Sequence, residues 1–338
     1  MVSRTAKRVR TLTADDLEIG VKAAIEQHAS NRPDDPPLAP DDIRLAEVRD
    51  LLQFYGGVIF SGPPGTSKSW YAGKIGMTLV NGDKDKIRFV QFHPSYQYED
   101  FVQGFVPRED GEGFELKPRY FLEMCEAAEK DPTRTYVLVI DELSRGDPGR
   151  VFGEALTYVE KSKRGMPFTL ASGKRCIVPA NLVILATMNP LDRGVDEVDA
   201  AFERRFARIE MEPSRDILQA LLDASEVEDP LRREIVQLFD MMNGRARSNP
   251  QGAVGHTFFT DVRDAASLRN IWKYQLQFLI GKAYRLDSDA YGEISGAWQR
   301  AIQSADELAS NLAEEPVIVE DSDSSRAPDD EDPRNPDG

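Results

Sequence analysis

Cysteine and histidine are scarce in this chain, at two and three residues among 338. Cys125 and Cys176 could make one disulfide at most, which excludes a disulfide-stapled secreted scaffold. Their spacing suits no structural metal either, so reduced thiols are expected. No apolar run approaches the roughly 20 residues that a membrane helix needs. Met1–Arg10 is basic, but no apolar stretch follows it. A secretory signal is therefore not expected, and a cytoplasmic location is. Positive charge is also short: 42 Lys and Arg stand against 58 Asp and Glu, a net charge of −16. That balance argues against a large DNA-coating surface. Half of it sits in Ala313–Gly338, with ten acids and two arginines. Such a tail is expected to be disordered. The rest of the chain is only mildly acidic, and a local basic patch in a ring or pore stays open.

What is present is enough apolar residue, 41% against 30% charged, for a folded chain of about two domains. The organising stretch is Gly57-Gly-Val-Ile-Phe-Ser-Gly-Pro-Pro-Gly-Thr-Ser-Lys-Ser69. Val58-Ile59-Phe60 reads as a buried strand, a Gly/Pro loop follows, and Trp70–Val80 reads as a helix. Strand, glycine loop, Lys-Ser and helix make a phosphate-binding P-loop. Its backbone N–H groups converge on phosphate oxygens, and the helix N-terminus adds a favourable dipole. The expected nucleotide contacts are Gly62, Pro63, Pro64, Gly65, Thr66, Ser67, Lys68, Ser69 and Trp70. Lys68 would reach the outer phosphates and the Ser69 hydroxyl would hold Mg²⁺. One position departs from G-x-x-x-x-G-K-[ST]: Ser67 stands where the second glycine belongs. A Cβ there costs little at negative φ and more at positive φ.

Taken in order, residues 1–40 read as a basic arm, a helix over Thr13–His28 and a Pro/Asp linker. Asp41-Asp42 would cap a helix with Ile43, Leu45, Val48, Leu51, Leu52 and Phe54 on a mostly apolar face. Ile87–Phe92 reads as a strand, residues 93–118 as a short helix and hairpin beside the nucleotide site, and Arg119–Lys130 as a helix. Tyr136-Val-Leu-Val-Ile-Asp-Glu142 is a β-rich run ending in two acids, the expected companion of a P-loop. Asp141 at the sheet edge would order Mg²⁺ and Glu142 would polarise the attacking water. Pro148–Lys161 reads as a helix and Phe168–Val178 as a hairpin turning at Ser172-Gly173. Leu182–Asn189 reads as another buried strand. Asn189 would sit between the two previous strand ends, within reach of the γ-phosphate; the other reading is a turn-forming Asn before Pro190. Val195–Phe202 reads as a short helix and Phe206–Met211 as a strand. Strands ending at one edge fit an open parallel α/β sheet, here spanning 41–213. Residues 214–312 read as a helical domain built from Ile217–Ala224, Leu231–Asn243, Leu268–Tyr284 and Tyr291–Leu312. Gly255-His-Thr-Phe-Phe259 interrupts it and is expected to face an unknown partner.

These residues resemble an AAA+ ATPase over about 45–212, with the P-loop parallel sheet sandwiched by helices and followed by a small helical lid. More narrowly they resemble the McrB type, the motor subunit of modified-cytosine-dependent restriction systems. Val90–Phe105, Ile140-Asp-Glu-Leu-Ser-Arg-Gly-Asp147 with Val151-Phe-Gly-Glu154, Lys163-Arg164-Gly165, Val178-Pro-Ala-Asn181, Met188-Asn-Pro-Leu-Asp-Arg193 and Gly255–Phe259 carry that likeness. The resemblance implies roles residue by residue. Lys68, Ser69, Asp141 and Glu142 carry over directly, and Asn189 matches the γ-phosphate sensor. Asp192 matches a signature acid that helps to arrange the catalytic water. Arg204 and Arg205 match an arginine pair that reaches a neighbouring subunit's site. It also implies a ring, commonly hexameric, with nucleotide between subunits. Pro190-Leu191 replaces Thr-Ala in the signature loop, and His256 occupies the stretch where the usual lid arginine is expected.

Members of this type carry an N-terminal DNA-reading domain. About 45 residues precede the core here, too few for one, so target choice is expected to reside in another protein. The implied activity is Mg²⁺-dependent nucleoside triphosphate hydrolysis, powering an McrC-like nuclease or other effector subunit in restriction or anti-phage defence. DNA would be met through partners or the ring pore. Two rivals stay open: a MoxR-like ATPase that remodels protein assemblies, and a nucleotide-switched assembly protein that hardly hydrolyses. No Asn-Lys-x-Asp guanine motif is present, and no residue selects the base; the broader AAA+ resemblance implies ATP, and the narrower McrB-type resemblance implies GTP as the alternative.

Overall fold

Asp42 starts the first described helix by accepting the Leu45 N–H at 2.9 Å, which satisfies a backbone donor that the helix itself cannot. The computed structural model describes residues 37–191, 200–225 and 227–314. The expected arm and first helix, the signature Asp192, most of Val195–Phe202 and nearly all of the acidic tail lie outside them. Helix α1 (Ile43–Leu51) buries Leu45 and Val48. The broad apolar face expected here is narrower: Ile43 and Phe54 are 85% and 74% exposed.

Five parallel strands form the sheet: β1 (Gly57–Ser61), β2 (Ile87–Gln91), β5 (Tyr136–Asp141), β8 (Leu182–Met188) and β9 (Ala207–Glu210). Their order is β2-β5-β8-β1-β9. The register pairs Ser61 with Met188 and Ile140 with Ala186, so β5, β8 and β1 end side by side. Alternate residues point to opposite faces. Val58, Phe60, Val137, Val139 and Leu185 join one apolar layer with Leu45, Val48 and Ile75. Ile59, Leu138, Ile140, Ile184 and Ala186 join the other, with Phe92, Phe101, Phe121 and Phe152. Both faces are covered, which is why these strands read as continuous apolar runs.

Helix α2 (Lys68–Leu79) follows the P-loop. After β2 come α3 (Tyr98–Phe101) and the hairpin β3 (Gln103–Pro107) with β4 (Phe114–Pro118), then α4 (Tyr120–Lys130). The helix expected over Pro148–Lys161 is not continuous. Helix α5 (Pro148–Phe152) stops at Gly153, where φ is +52° and the chain continues as a 3₁₀ helix to Val159. Glycine suits the break: the φ is positive, and a Cβ there would lie 2.8 Å from the Tyr98 ring. A second hairpin pairs β6 (Pro167–Thr169) with β7 (Arg175–Ile177). Short α6 (Ala200–Glu203) precedes β9.

Beyond β9 the described chain is helical: α7 (Arg215–Ala224), α8 (Asp229–Ala246), α9 (Ala265–Ile271), a π-helical turn at Trp272–Leu276, α10 (Gln277–Ala283) and α11 (Ser288–Glu314). The single helix expected over Leu268–Tyr284 is thus α9 and α10 joined by the π turn. This part has its own core, running from Leu218 to Ala305. The fully buried Trp298 stacks on Trp272 at 5.1 Å. No helix among the described residues is long and apolar enough to cross a membrane.

Candidate active site

The P-loop leaves the end of β1 with Gly62 N–H donating to the Met188 carbonyl at 3.2 Å. Gly62, Pro63, Pro64 and Gly65 form the turn, with Gly65 at φ +78°. Thr66 is buried and donates to the Pro63 carbonyl at 2.9 Å. Lys68 Nζ reaches the same carbonyl at 2.7 Å. Ser67 has φ +63° and ψ +19°, the left-handed region that the missing glycine would occupy at little cost. Ser69 lies in the first turn of α2, and Trp70 beside it is 47% exposed. Lys74 Nζ sits 5.8 Å from the Trp70 ring centre.

The end of β5 meets this loop. Ser69 Oγ donates to Asp141 Oδ1 at 2.7 Å. Buried Thr187 on β8 donates to the same carboxylate oxygen and accepts the Glu142 N–H at 3.2 Å. Thr187 is absent from the expected site residues. Its only sequence signal is a hydroxyl inside an otherwise apolar strand. Glu142 is itself left-handed, with φ +55°, and its carboxylate pairs with Arg145 Nε at 3.1 Å. Asn189 follows β8, between the ends of β1 and β5. Its Oδ1 accepts the Leu191 N–H at 3.1 Å across Pro190.

Hard oxygen donors on Ser69 and Asp141 suit Mg²⁺, which takes few protein ligands and completes its shell with phosphate and water. Among the described residues no group of three or more His, Cys, Asp or Glu side chains could hold a metal unaided.

Arg204 and Arg205 lie elsewhere. They fall in the turn between α6 and β9, and the Arg205 carbonyl accepts the Gly56 N–H at 3.1 Å. They therefore stand at the start of β1, whereas the P-loop stands at its end, about 15 Å along the strand. Arg204 is exposed and Arg205 is 7% exposed.

The helical part closes over the loop. Gly255–Phe259, expected to face a partner, faces this chain's own P-loop. Gly255 N–H donates to the Pro64 carbonyl at 3.1 Å and Thr257 N–H to the Gly65 carbonyl at 3.0 Å. His256 Nε2 is 2.9 Å from Ser67 Oγ, and the Ser214 N–H donates to its Nδ1 at 3.3 Å. Burial pulls the His256 pKa down to about 4, so the ring is neutral near pH 7. A cleft of about 130 Å³ lies between Pro64, Asn189 and Leu191 on one side and Gln251, Leu279 and Lys282 on the other.

Two further segments that carry the family likeness have structural contacts. Arg164, half-buried, donates to the carbonyls of Gly56, Val159, Pro179 and Leu182 at 2.7–3.2 Å. Burial lowers its pKa to about 10. Asn181 Nδ2 meets the carbonyls of Ala128, Asp131 and Arg134, which caps the end of α4. Both tie the start of the sheet together, far from the P-loop edge.

Comparison with known proteins agrees with this geometry. Residues 57–206 match the AAA domain family of the dynein-related subfamily. The Type IV methyl-directed restriction enzyme EcoKMcrB subunit of Escherichia coli (strain K12) is 35% identical over 245 residues, 68% of this chain and 52% of that protein. The Type II restriction enzyme BsuMI component YdiS of Bacillus subtilis (strain 168) is 27% identical over 198 residues, 46% of this chain and 58% of that one. The chain thus spans little more than half the length of these curated relatives. With a P-loop sheet, a helical lid against it and these matches, the chain belongs to the AAA+ ATPases and within them is related to the McrB type.

Proposed function

We propose that this chain hydrolyses a nucleoside triphosphate as a ring-forming motor of the McrB type and powers a separate nuclease or effector subunit in restriction or anti-phage defence. The observation that supports it best is the meeting of three adjacent strand ends at the P-loop while the arginine pair sits at the opposite edge of the sheet. Backbone N–H groups of residues 65–69 and Lys68 Nζ hold the triphosphate. Ser69 and Asp141 would hold Mg²⁺, which neutralises phosphate charge when bound. Glu142 orients the attacking water and takes its proton, and the Asn189 amide donates to a γ-phosphoryl oxygen. Asp192 helps to arrange that water. Arg204, the exposed member of its pair, neutralises charge growing on the γ-phosphoryl oxygens of a neighbouring copy, and Arg205 supports it. ATP is the expected nucleotide and GTP the alternative. DNA is met through the partner or the ring pore, and six copies are the expected ring.

The test is phosphate release with Mg²⁺ and ATP or GTP, comparing Glu142→Gln, Arg204→Ala and their mixture. Each variant alone should lose about 10²-fold or more. Mixed rings combine an intact catalytic site with an intact arginine from the neighbour, so mixing should restore a measurable fraction of turnover. Two inactive variants that stay inactive when mixed would remove the shared-site reading. Unchanged turnover in Glu142→Gln would remove the hydrolytic role of that residue.

A further inference from the structure

Ser67 is a non-glycine residue held at positive φ in the middle of the phosphate-binding loop. A left-handed serine relaxes towards negative φ unless something holds it. Such a rotation would turn the N–H groups on either side of it away from the phosphates. The side chain that meets Ser67 Oγ comes from the lid. His256 is 1% exposed, and its Nδ1 accepts the Ser214 N–H. That bond requires a lone pair on Nδ1, so the neutral ring carries its proton on Nε2 and donates it to Ser67 Oγ at 2.9 Å. Ser214 in turn caps α7 by accepting the Ile217 N–H at 3.2 Å, just past the last strand. One imidazole therefore joins the P-loop, the sheet-to-lid junction and the lid.

We propose that His256 is a positioning residue for the phosphate cradle: its hydrogen bond to Ser67 does the work of the missing glycine and makes the competence of the loop depend on lid docking. With a glycine at position 67 the loop could keep its left-handed turn unaided. With serine, the turn is kept by a residue 189 positions away. Nucleotide affinity and lid closure then become one coupled equilibrium.

This inference rests on the P-loop binding a nucleoside triphosphate, and the experiment separates the two. Affinity for a fluorescent ATP analogue with Mg²⁺, and for its GTP counterpart, is measured in the full chain and in Ser67→Gly, His256→Ala and the double variant. His256→Gln, which can offer an N–H near the place of Nε2, is the conservative control. His256→Ala should weaken binding about tenfold or more in the Ser67 background, since it loses one bond and frees the strained serine. In the Ser67→Gly background the same change should cost about twofold or less, and His256→Gln should recover part of the loss. Thermal melting of each variant shows that the chain remains folded. Equal losses in both backgrounds would mean that His256 only packs the lid, which overturns the inference and leaves the nucleotide site standing. Failure of the full chain to bind either nucleotide would overturn both.

Discussion

Gly255→Ala is the sharpest perturbation available, because a Cβ at this position has nowhere to go. It would lie 2.0 Å from the carbonyl carbon and oxygen of Gly65 and 2.6 Å from its Cα. Those are backbone atoms of the P-loop and cannot swing aside as a side-chain tip can. Ordinary contact needs about 3.4 Å, so lid and loop must separate by about 1.4 Å. The two backbone hydrogen bonds across this seam, at 3.1 and 3.0 Å, do not survive such a shift. At about 1 kcal/mol each they amount to about 2 kcal/mol, or roughly thirtyfold in lid docking. The assay is nucleotide titration followed by fluorescence, with thermal melting alongside. Gly244→Ala is the control: it lies within α8 with nothing within 4 Å of the new methyl, and should stabilise by up to about 1 kcal/mol. A Gly255→Ala protein that binds nucleotide and melts like the parent would refute the described seam between lid and P-loop.

Arg164→Met should destabilise by about 3–5 kcal/mol, since four carbonyl oxygens lose a charged donor together; the urea midpoint checks this, and a loss below about 1 kcal/mol contradicts it. Acid should weaken the fold through His256. Its folded pKa of about 4 lies below the usual value of 6.5, so between these pH values the unfolded chain binds a proton that the folded chain does not. The contribution is fully present above about pH 6.5 and is lost as pH falls towards 4, by up to about 3 kcal/mol. His256→Gln should lack that part of the acid slope, and parallel slopes for the two proteins between pH 7 and pH 5 would count against it.

The sheet was legible because its rules are local. Apolar runs bounded by Gly/Pro loops mark β1, β5 and β8, and parallel pairing places their ends at one edge, so Ser69, Asp141, Glu142 and Asn189 converge without a contact map. What was not legible depends on distant neighbours. Apolar spacing over Pro148–Lys161 predicts one helix, but Gly153, at positive φ and close against the Tyr98 ring, divides it. Ile43 and Phe54 fit an apolar helical face, yet no element in the described chain packs over them. The sign of φ at Ser67 decides the cost of its Cβ, and no neighbouring residue in the sequence announces it. Gly255–Phe259 looks like an interruption between helices until the P-loop lies beneath it. Arg164 and Asn181 read as family residues of unknown purpose because carbonyls that they serve lie far off in the sequence, Gly56 for Arg164 and those of Ala128, Asp131 and Arg134 for Asn181.

The three apolar cores divide cleanly along the chain. Buried members of the two sheet layers end at Met211, and those of the lid begin at Leu218. Among the described residues no buried apolar cluster bridges the halves. The halves meet instead through two backbone hydrogen bonds, the Ser67–His256 pair and the Phe258 ring beside Gly65, so two unfolding transitions are expected of the chain alone. A triphosphate held by both sides would act as the missing shared core. Its arrival would merge two unfolding transitions into one, and its hydrolysis would give the lid back its independence.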